Sequence, residues 1–290
     1  MRKVLLLMVT ALSLFAVEPV VTGAWLKGHL NDKDVVVVDV TKKESYDSGH
    51  IPTAMQSGIE LWRQGVDKHA EVRSIEALQA EMRRLGINND TRVVVYSHHL
   101  NNKDMLRATY VIWAMAYAGH PNTALLDGGI YAYKAAGGAL TTKTEANRKG
   151  NFTADKNAKM IATMAEVKAS LHKVPMVDSR PAVFYFGAQK QPVLKRPGHI
   201  SGAKSFFWRY NVTNENRIKP TAELSEMIEK GLGLKKNDPL IIYCTGGLEA
   251  SMNYFVYHRL LGFEKAKLYD GSMKEWGNRD DTPMTRYRWE

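Results

Sequence analysis

The sequence Leu-Ile-Ile-Tyr-Cys-Thr-Gly-Gly-Leu-Glu-Ala-Ser occupies residues 240–251 and predicts a strand, a tight loop and the start of a helix. The apolar, β-prone run ends at Cys244, which is the single cysteine of the 290 residues. A loop of this kind gathers backbone N–H groups around an anion. We therefore interpret Cys244 as a reactive thiol whose pKa the loop lowers, against the alternative of a small buried apolar residue.

The composition is that of a folded protein of about two domains. Hydrophobic residues make up 44% of the chain, which argues against wholesale disorder. The 40 basic and 30 acidic residues give a formal net charge of +10, but the basic residues are dispersed and form no block with interleaved aromatic residues. We therefore expect no nucleic-acid partner, and a positive field that can concentrate small anions.

The N-terminus has the pattern of a secretory signal peptide. Two basic residues precede an apolar stretch, Val4 to Val17, that is shorter than the about 20 residues a membrane span needs. We place the signal peptide at residues 1–22, with cleavage after Ala16 or near Gly23, and predict an exported, periplasmic protein without stable membrane insertion. Because export usually brings disulfides, a single cysteine in such a protein suggests a thiol with a chemical role.

The chain repeats one order of signals in its two halves. The paired segments are Val35–Val40 with Val174–Arg180, Tyr46–Ala54 with Arg196–Ala203, Val93–Tyr96 with Leu240–Tyr243, and Leu125–Gly129 with Leu268–Ser272. The offset is nearly constant, since His50 and His199 are 149 positions apart and Asp127 and Asp270 are 143 apart. A period of this size indicates the tandem duplication of a domain rather than a solenoid.

Within each half, short apolar strands alternate with helical patterns. The segments Ser74–Leu85 and Thr221–Leu232 predict helices, each followed by a glycine. Continuous Val and Ile strands between helices predict an α/β fold with two tandem domains, each a mostly parallel sheet covered by helices on both faces. We place the first domain at residues 23–140, a polar linker at 141–159 and the second domain at 160–290.

These features resemble the tandem-domain rhodanese family, which is thiosulfate/3-mercaptopyruvate sulfurtransferase-like, here in an exported form. The stretch Tyr46–Ala54 resembles the family's N-terminal signature, with Thr53 where glycine is usual. The stretch Tyr269–Trp276 resembles the C-terminal signature, with Met273 in place of an aromatic residue. The resemblance covers nearly the whole chain after the signal and implies a rhodanese-like fold for both halves.

The resemblance implies a sulfurtransferase that works through a persulfide on Cys244. The thiolate takes the sulfane sulfur of thiosulfate or a similar donor and passes it to cyanide or a thiol, in the two displacements of a ping-pong mechanism. It implies no cofactor and no metal, and the partners it implies are small sulfur anions, thiol or cyanide acceptors and an unidentified protein acceptor. The substrate-binding residues it implies are Arg180, Thr245, Gly246, Gly247, Leu248 and Glu249.

At two positions this sequence has a residue that differs from the one in family members that act on thiosulfate. Phe184 stands where a second arginine is frequent, which leaves the preference for thiosulfate open. Glu249 occupies a loop position that commonly holds Arg or Thr, and an acid there either repels a dianionic donor or pairs with a cation such as Arg180. We expect three further residues to orient loops by hydrogen bonds: Asp39, Asp178 and His199.

The first half lacks the reactive residue. Alignment of the two halves puts Ser97 opposite Cys244, and residues 97–104 contain neither a thiol nor a glycine pair. We therefore predict that the first domain is catalytically silent and forms part of the wall of the pocket. We interpret His98 and His99 as part of a surface or interface loop, because no third ligand follows at zinc-like spacing.

Two other functions remain as alternatives. A cysteine phosphatase or arsenate reductase on a related fold needs one more loop residue and an arginine six positions after the cysteine, where this chain has Ala250. A non-catalytic persulfide carrier or sulfur-binding module of the cell envelope is compatible with Glu249 and Phe184. Repeated turnover, as opposed to a single loading with sulfur, distinguishes the enzyme from the carrier.

Overall fold

The structure is a computed structural model that describes residues 16–66, 69–98, 104–146 and 148–290. Most of the predicted signal segment, as well as His99, lies outside these residues. The described chain forms two α/β domains, each built on a sheet of parallel strands flanked by helices. The predicted fold class is therefore confirmed.

The first domain has a parallel sheet and a separate hairpin. Its strands are β1 (Val20–Val21), β2 (Val35–Asp39), β3 (Met55–Gln56), β4 (Arg63–Val66), β5 (His69–Val72), β6 (Arg92–Tyr96) and β7 (Thr123–Leu126). Five of them form the sheet in the order β1-β7-β6-β2-β3, and β4 pairs with β5 in an antiparallel hairpin. Every residue of β2 is buried, as expected for a strand covered on both faces.

Five helices accompany this sheet: α1 (Gly23–His29), α2 (Lys43–Ser48), α3 (Ile75–Arg84), α4 (Asp104–Tyr117) and α5 (Gly129–Ala135). Helix α3 begins directly after Ser74, whose hydroxyl accepts the N–H of Ala77 and caps the helix. This confirms the helix predicted there. Helix α4 is buried along almost its whole length because the second domain packs on it.

The second domain repeats this plan with fewer strands. Its strands are β8 (Met176–Asp178), β9 (His199–Ile200), β10 (Ala203–Ser205), β11 (Leu240–Tyr243), β12 (Ala266–Leu268) and β13 (Met284–Thr285). The parallel sheet has the order β10-β8-β11-β12, while β9 and β13 form an antiparallel pair. The helices are α6 (Met164–Ser170), α7 (Ala182–Phe186), α8 (Thr221–Ser225), α9 (Leu248–Tyr254) and α10 (Ser272–Trp276), with π-helical turns that extend α8 over Glu226–Gly231 and α9 over Phe255–Leu260.

A buried tyrosine–histidine pair recurs in both domains. Tyr46 stacks on His50 with ring centroids 3.6 Å apart, and Tyr185 stacks on His199 at 3.8 Å. Each tyrosine hydroxyl donates to a backbone carbonyl further along the chain, at 2.8 and 2.7 Å. Each histidine Nδ1 lies 2.9 or 2.8 Å from the carbonyl of its tyrosine. The two domains therefore share the same loop support, although Tyr185 lies outside the repeated segment Arg196–Ala203, and His199 has the loop-supporting role expected of it.

The two domains meet through helices α4 and α9. The hydroxyl oxygens of Thr109 and Ser251 lie 2.8 Å apart across this contact. One cluster of buried apolar side chains includes Val36 and Trp113 of the first domain and Ile242 and Phe255 of the second. Because the core is shared, the first domain has a fixed position beside the cysteine loop.

Strand β1 extends the folded domain into the predicted signal region. It pairs with β7, and the N–H of Val17 donates to the side chain of Asn122 at 2.9 Å. Cleavage after Ala16 leaves this strand in place, whereas cleavage near Gly23 removes it. Within the part of the chain that the structure describes, no helix has both the length and the apolar character needed to span a membrane.

Candidate active site

The loop after β11 wraps backbone N–H groups around the sulfur of Cys244. The nitrogen of Gly246 lies 3.4 Å from Sγ with its hydrogen directed at the sulfur, and the backbone N–H of Ala250 also favours negative charge there by lowering the pKa of the thiol. The residue is buried, with 1% of its surface exposed. Donors fixed in this way stabilise negative charge on the sulfur and on whatever is attached to it.

Ser272, the first residue of α10, holds the loop in shape. Its Oγ accepts the N–H of Cys244 at 3.1 Å and that of Gly247 at 3.3 Å, and it donates to the carbonyl of Tyr269 at 2.7 Å. The next two N–H groups of α10 donate to carbonyls of the loop at 3.1 and 2.9 Å. Sequence reasoning noted Ser272 only as part of a signature, although a hydroxyl beside a glycine at a strand end could have indicated this role.

Gly247 occupies a backbone conformation that requires glycine. Its φ is +87°, and a β-carbon there would lie 2.0 Å from Oδ1 of Asp270. At Gly246, in contrast, a β-carbon would meet the side chain of Lys274 at 3.4 Å, an ordinary contact, and φ is not positive. Of the two loop glycines, therefore, only Gly247 has a conformation that favours glycine.

The pKa of the Cys244 thiol is raised to about 12, and the predicted lowering is wrong. Burial is the largest cause because it penalises the thiolate, and the carboxylate of Glu249 raises the pKa further. The N–H groups of Ala250 and Gly246 lower it, but by less. At neutral pH the sulfur is therefore held mainly as the thiol, in a site that stabilises its anion only in part.

Arg180 does not line the pocket that contains Cys244. Its guanidinium is 1% exposed and binds the carboxylate of Asp178 through Nε at 2.9 Å and Nη2 at 2.5 Å. Nη2 also donates to the carbonyl of Gly198 at 2.8 Å. Arg180 therefore makes neither the expected substrate contact nor the suggested pair with Glu249. It forms a structural ion pair with Asp178 at the end of β8.

Replacing Arg180 by alanine should lower the free energy of unfolding by about 3–5 kcal/mol, because the carboxylate of Asp178 would stay buried without its partner. Urea unfolding measures this loss. The double variant Asp178→Asn/Arg180→Met should recover part of it, since neither charge remains. A single variant with wild-type stability and weakened thiosulfate binding would contradict the structural role.

Cys244 opens onto a pocket of about 310 Å³ between the two domains. The first domain contributes Arg63, Leu106 and Arg107, and the second contributes Gln191, Cys244, Thr245, Gly246, Leu248, Glu249 and Lys274. Of the predicted binding residues, the structure thus brings four to the pocket, while Gly247 and Arg180 do not line it. Among the described residues that line it, three are cations and one is a carboxylate, so this lining is net positive, and its small volume suits a small anion.

Glu249 is oriented beside the thiol by Thr245. The Oγ1 of Thr245 donates toward Oε2 of Glu249 at 3.4 Å, and Nε2 of Gln191 lies 2.8 Å from the same hydroxyl oxygen. Glu249, the acid that is unusual at its position in the sequence, therefore lines the pocket. Its effect there is to disfavour the thiolate.

Arg63 connects the first domain to the cysteine loop. Its Nη2 donates to the carbonyl of Gly246 at 2.6 Å, and the same guanidinium lies 3.5 Å from Asp270 Oδ1 and 4.6 Å from the ring centre of Tyr110. Asp270 accepts the hydroxyl of Tyr110 and the N–H of Val72, each at 2.7 Å. Burial raises the pKa of Asp270 to about 6, against the opposing effects of Arg63 and Tyr110.

The first domain has Ser97, fully buried, at the position that corresponds to Cys244. The next residue, His98, is also buried, and its Nε2 lies 3.0 Å from Oδ2 of Asp39. The expectation of a surface or interface loop is thus corrected for His98, which is held inside its domain. His99 lies outside the described residues.

One group of possible metal ligands occurs among the residues described by the structure. Ligand atoms of His69, Glu71 and Glu275 lie within 4.8 Å of one another. His69 is 2.9 Å from Glu71, and Glu275 accepts the hydroxyl of Tyr269 at 2.7 Å. None of the three lines the pocket around Cys244.

Comparison with known proteins finds one family in both domains. The model of the rhodanese-like domain matches residues 22–136 and again residues 163–279. The chain is 32% identical to the sulfur carrier protein TtuD of Thermus thermophilus over 93% of this chain and 97% of that protein. It is 27% identical to the 3-mercaptopyruvate sulfurtransferase of Escherichia coli K12, over 90% and 95% of the two chains. The crystal structure of SseA from Escherichia coli superposes with a TM-score of 0.76 at 24% identity, covering 88% of this chain and 99% of that one.

Proposed function

Because the chain belongs to the rhodanese-like domain family, we propose that it is a sulfurtransferase that carries sulfur as a persulfide on Cys244. The observation that carries the proposal is the position of its sulfur, which lies under the N–H groups of Gly246 and Ala250 at a small, net positive pocket. The donor is thiosulfate or a similar small anion, and the acceptor is cyanide or a thiol. The names of relatives at 27–32% identity support sulfur transfer in general.

The reaction proceeds in two displacements. The Cys244 thiol first loses its proton to water. The thiolate then attacks the outer sulfur of thiosulfate, the S–S bond of the donor breaks, and sulfite leaves with the bonding electron pair. The product is a persulfide anion, whose charge the N–H groups of Gly246 and Ala250 stabilise. Cyanide or a thiolate then attacks the outer sulfur, takes it away as thiocyanate or a new persulfide, and returns the thiolate of Cys244.

Steady-state formation of thiocyanate tests this function against the carrier alternative, which the relative named a sulfur carrier favours. The enzyme should form many equivalents of thiocyanate per chain from thiosulfate and cyanide. A chain that gains one sulfur atom and releases it only to a second protein would support the carrier. Turnover of p-nitrophenyl phosphate that depends on Cys244 would favour the phosphatase alternative and overturn both.

The reactivity of Cys244 should increase steeply with pH. Since its pKa of about 12 lies above the working range, the thiolate fraction grows about tenfold for each pH unit between pH 7 and 9. The rate of alkylation by iodoacetamide, followed by mass, measures this fraction. A rate that levels off below pH 8 would contradict the raised pKa.

The variant Glu249→Gln should react faster than the wild type at neutral pH. Removing the carboxylate lowers the pKa of Cys244, and a rate increase of roughly fivefold corresponds to a shift of less than one pH unit. The same alkylation assay measures it, with Glu226→Gln as the control, because Glu226 is an exposed acid of the second domain. An unchanged or slower rate in Glu249→Gln would show that this acid does not restrain the thiol.

We further propose that the protein is exported and that its signal ends at or before Ala16. The basic and apolar pattern of the N-terminus supports export, and strand β1 favours the earlier of the two cleavage positions because it belongs to the sheet. N-terminal sequencing of the protein purified from a cell-envelope fraction tests both statements. Recovery of an intact N-terminus from the cytosol would contradict them.

A further inference from the structure

The positive charge of the pocket comes from outside the cysteine loop. The loop residues Thr245–Ala250 include no cation, and Arg180 is committed to Asp178. Arg63 of β4 and Arg107 of α4 reach the pocket from the first domain. On the basis of the proposed function, we propose that Arg63 and Arg107 form the subsite that binds the anionic group of the sulfur donor, so that the domain without a thiol determines the preference for anionic donors.

One guanidinium nitrogen of Arg107 holds the side chain in position, which leaves its other N–H donors available. Its Nη1 binds the carboxylate of Asp104, which is buried and anchors the guanidinium at the start of α4. Among the residues that the structure describes, Nε and Nη2 of Arg107 have no hydrogen-bond partner. The side chain is 27% exposed and lines the pocket, so these two donors are available to an oxyanion. A planar guanidinium with two parallel N–H groups suits a carboxylate or a sulfonate-like group.

Arg63 is more deeply buried than Arg107, with 13% of its side chain exposed. Its Nη2 is committed to backbone carbonyls, one of them that of Gly246 in the loop itself, while its Nε is buried without a partner. Burial opposes the charge of Arg63, but Tyr110, Asp270 and, to a smaller extent, Cys244 raise its pKa. The guanidinium therefore stays charged close to the sulfur, where an anionic donor has to approach.

Lys274 is the competing cation of the pocket, and it belongs to the second domain. Its aliphatic stem lies over Gly246, 3.4 Å from where a β-carbon of that residue would be. An ammonium is a point charge without the paired donors of a guanidinium. If Lys274 alone held the donor, the first domain would have no part in specificity, so the experiment has to separate the three cations.

Paired alkylating reagents test the subsite independently of sulfur chemistry. Iodoacetate and iodoacetamide each form a C–S bond with the Cys244 thiolate and release iodide, but only iodoacetate carries an anion. The ratio of their rate constants cancels any change in the pKa of the thiol. The ratio should fall about tenfold in Arg107→Gln, recover in part in Arg107→Lys, and stay at the wild-type value in Lys134→Gln, an exposed cation of α5.

Arg107→Gln is the decisive variant, because Arg63 also supports the loop. An unchanged ratio in Arg107→Gln, or a fall confined to Lys274→Gln, would overturn the proposal. The loading of Cys244 with sulfur from thiosulfate then distinguishes a failure of this subsite from a failure of the proposed function. If the ratio depends on Arg107 but the wild type gains no sulfur from thiosulfate, the anion subsite stands and the sulfurtransferase assignment fails. If the wild type loads and Arg107→Gln loads as fast at low thiosulfate, the subsite fails and the assignment stands.

Discussion

Replacing Cys244 by serine should reduce thiocyanate formation from thiosulfate and cyanide by roughly a thousandfold or more, to the uncatalysed rate. A serine oxygen can still accept the N–H of Gly246, so the loop keeps its shape, but oxygen cannot carry the transferred sulfur as a persulfide. The first domain cannot take over, because Ser97 stands at its equivalent position. Initial rates with purified protein measure the effect.

The urea midpoint of Cys244→Ser should stay close to that of the wild type, which separates lost chemistry from lost folding. Activity above about a tenth of the wild-type rate in a folded variant would mean that another group carries the sulfur. Since the chain has no second cysteine, such a result would remove the persulfide mechanism altogether.

Gly247→Ala should be the most damaging change in the loop apart from the loss of the thiol. A β-carbon would lie 2.0 Å from Oδ1 of Asp270 and would force a φ of +87° on an alanine. We expect a loss of about 2–3 kcal/mol in the free energy of unfolding and a loss of activity of roughly a hundredfold, because the N–H groups around Cys244 move with the loop. Urea unfolding and thiosulfate kinetics measure the two effects.

Gly262→Ala is the matched control for this variant. Gly262 has a similar φ of +77°, but a β-carbon there meets no atom within 4 Å. It therefore reports the cost of the backbone conformation alone, expected at about 1 kcal/mol with activity preserved. Equal losses of stability and activity in the two variants would show that the contact with Asp270 does not matter.

Local patterns in the sequence predicted the parts of the molecule that local physics determines. The run of apolar residues before Cys244 predicted β11, and the capping serine at Ser74 lies at the start of α3. The constant offset between the halves predicted two domains, and the structure repeats even the stacking of Tyr46 on His50 and of Tyr185 on His199. Each of these features depends on residues close together in the chain or on a duplicated signature.

The electrostatics of the site could not be predicted in the same way. The pKa of Cys244 depends on burial by both domains and on Glu249, so loop geometry alone gave the wrong direction. Arg180 follows a strand end near the loop, yet Asp178 two residues earlier takes its guanidinium. Arg63 and Arg107 reach the pocket from the other domain, more than 130 positions before Cys244, and no spacing rule connects residues at that separation.

These contributions make the first domain part of the site. Among the described residues it supplies two of the three cations that line the pocket, and Arg63 and Val72 donate hydrogen bonds to Gly246 and Asp270, respectively. The second domain supplies the thiol and the surrounding N–H groups. The first domain, which has Ser97 in place of a cysteine, therefore still contributes to the site.

The mass of the intact protein after incubation with thiosulfate tests the persulfide on Cys244 most directly. The wild type should gain the mass of one sulfur atom, lose it on addition of cyanide, and show the added sulfur on the peptide that contains Cys244. Cys244→Ser should gain nothing under the same conditions. No gain in the wild type with thiosulfate or any other sulfane donor, or an equal gain in Cys244→Ser, would show that Cys244 does not carry the sulfur as a persulfide.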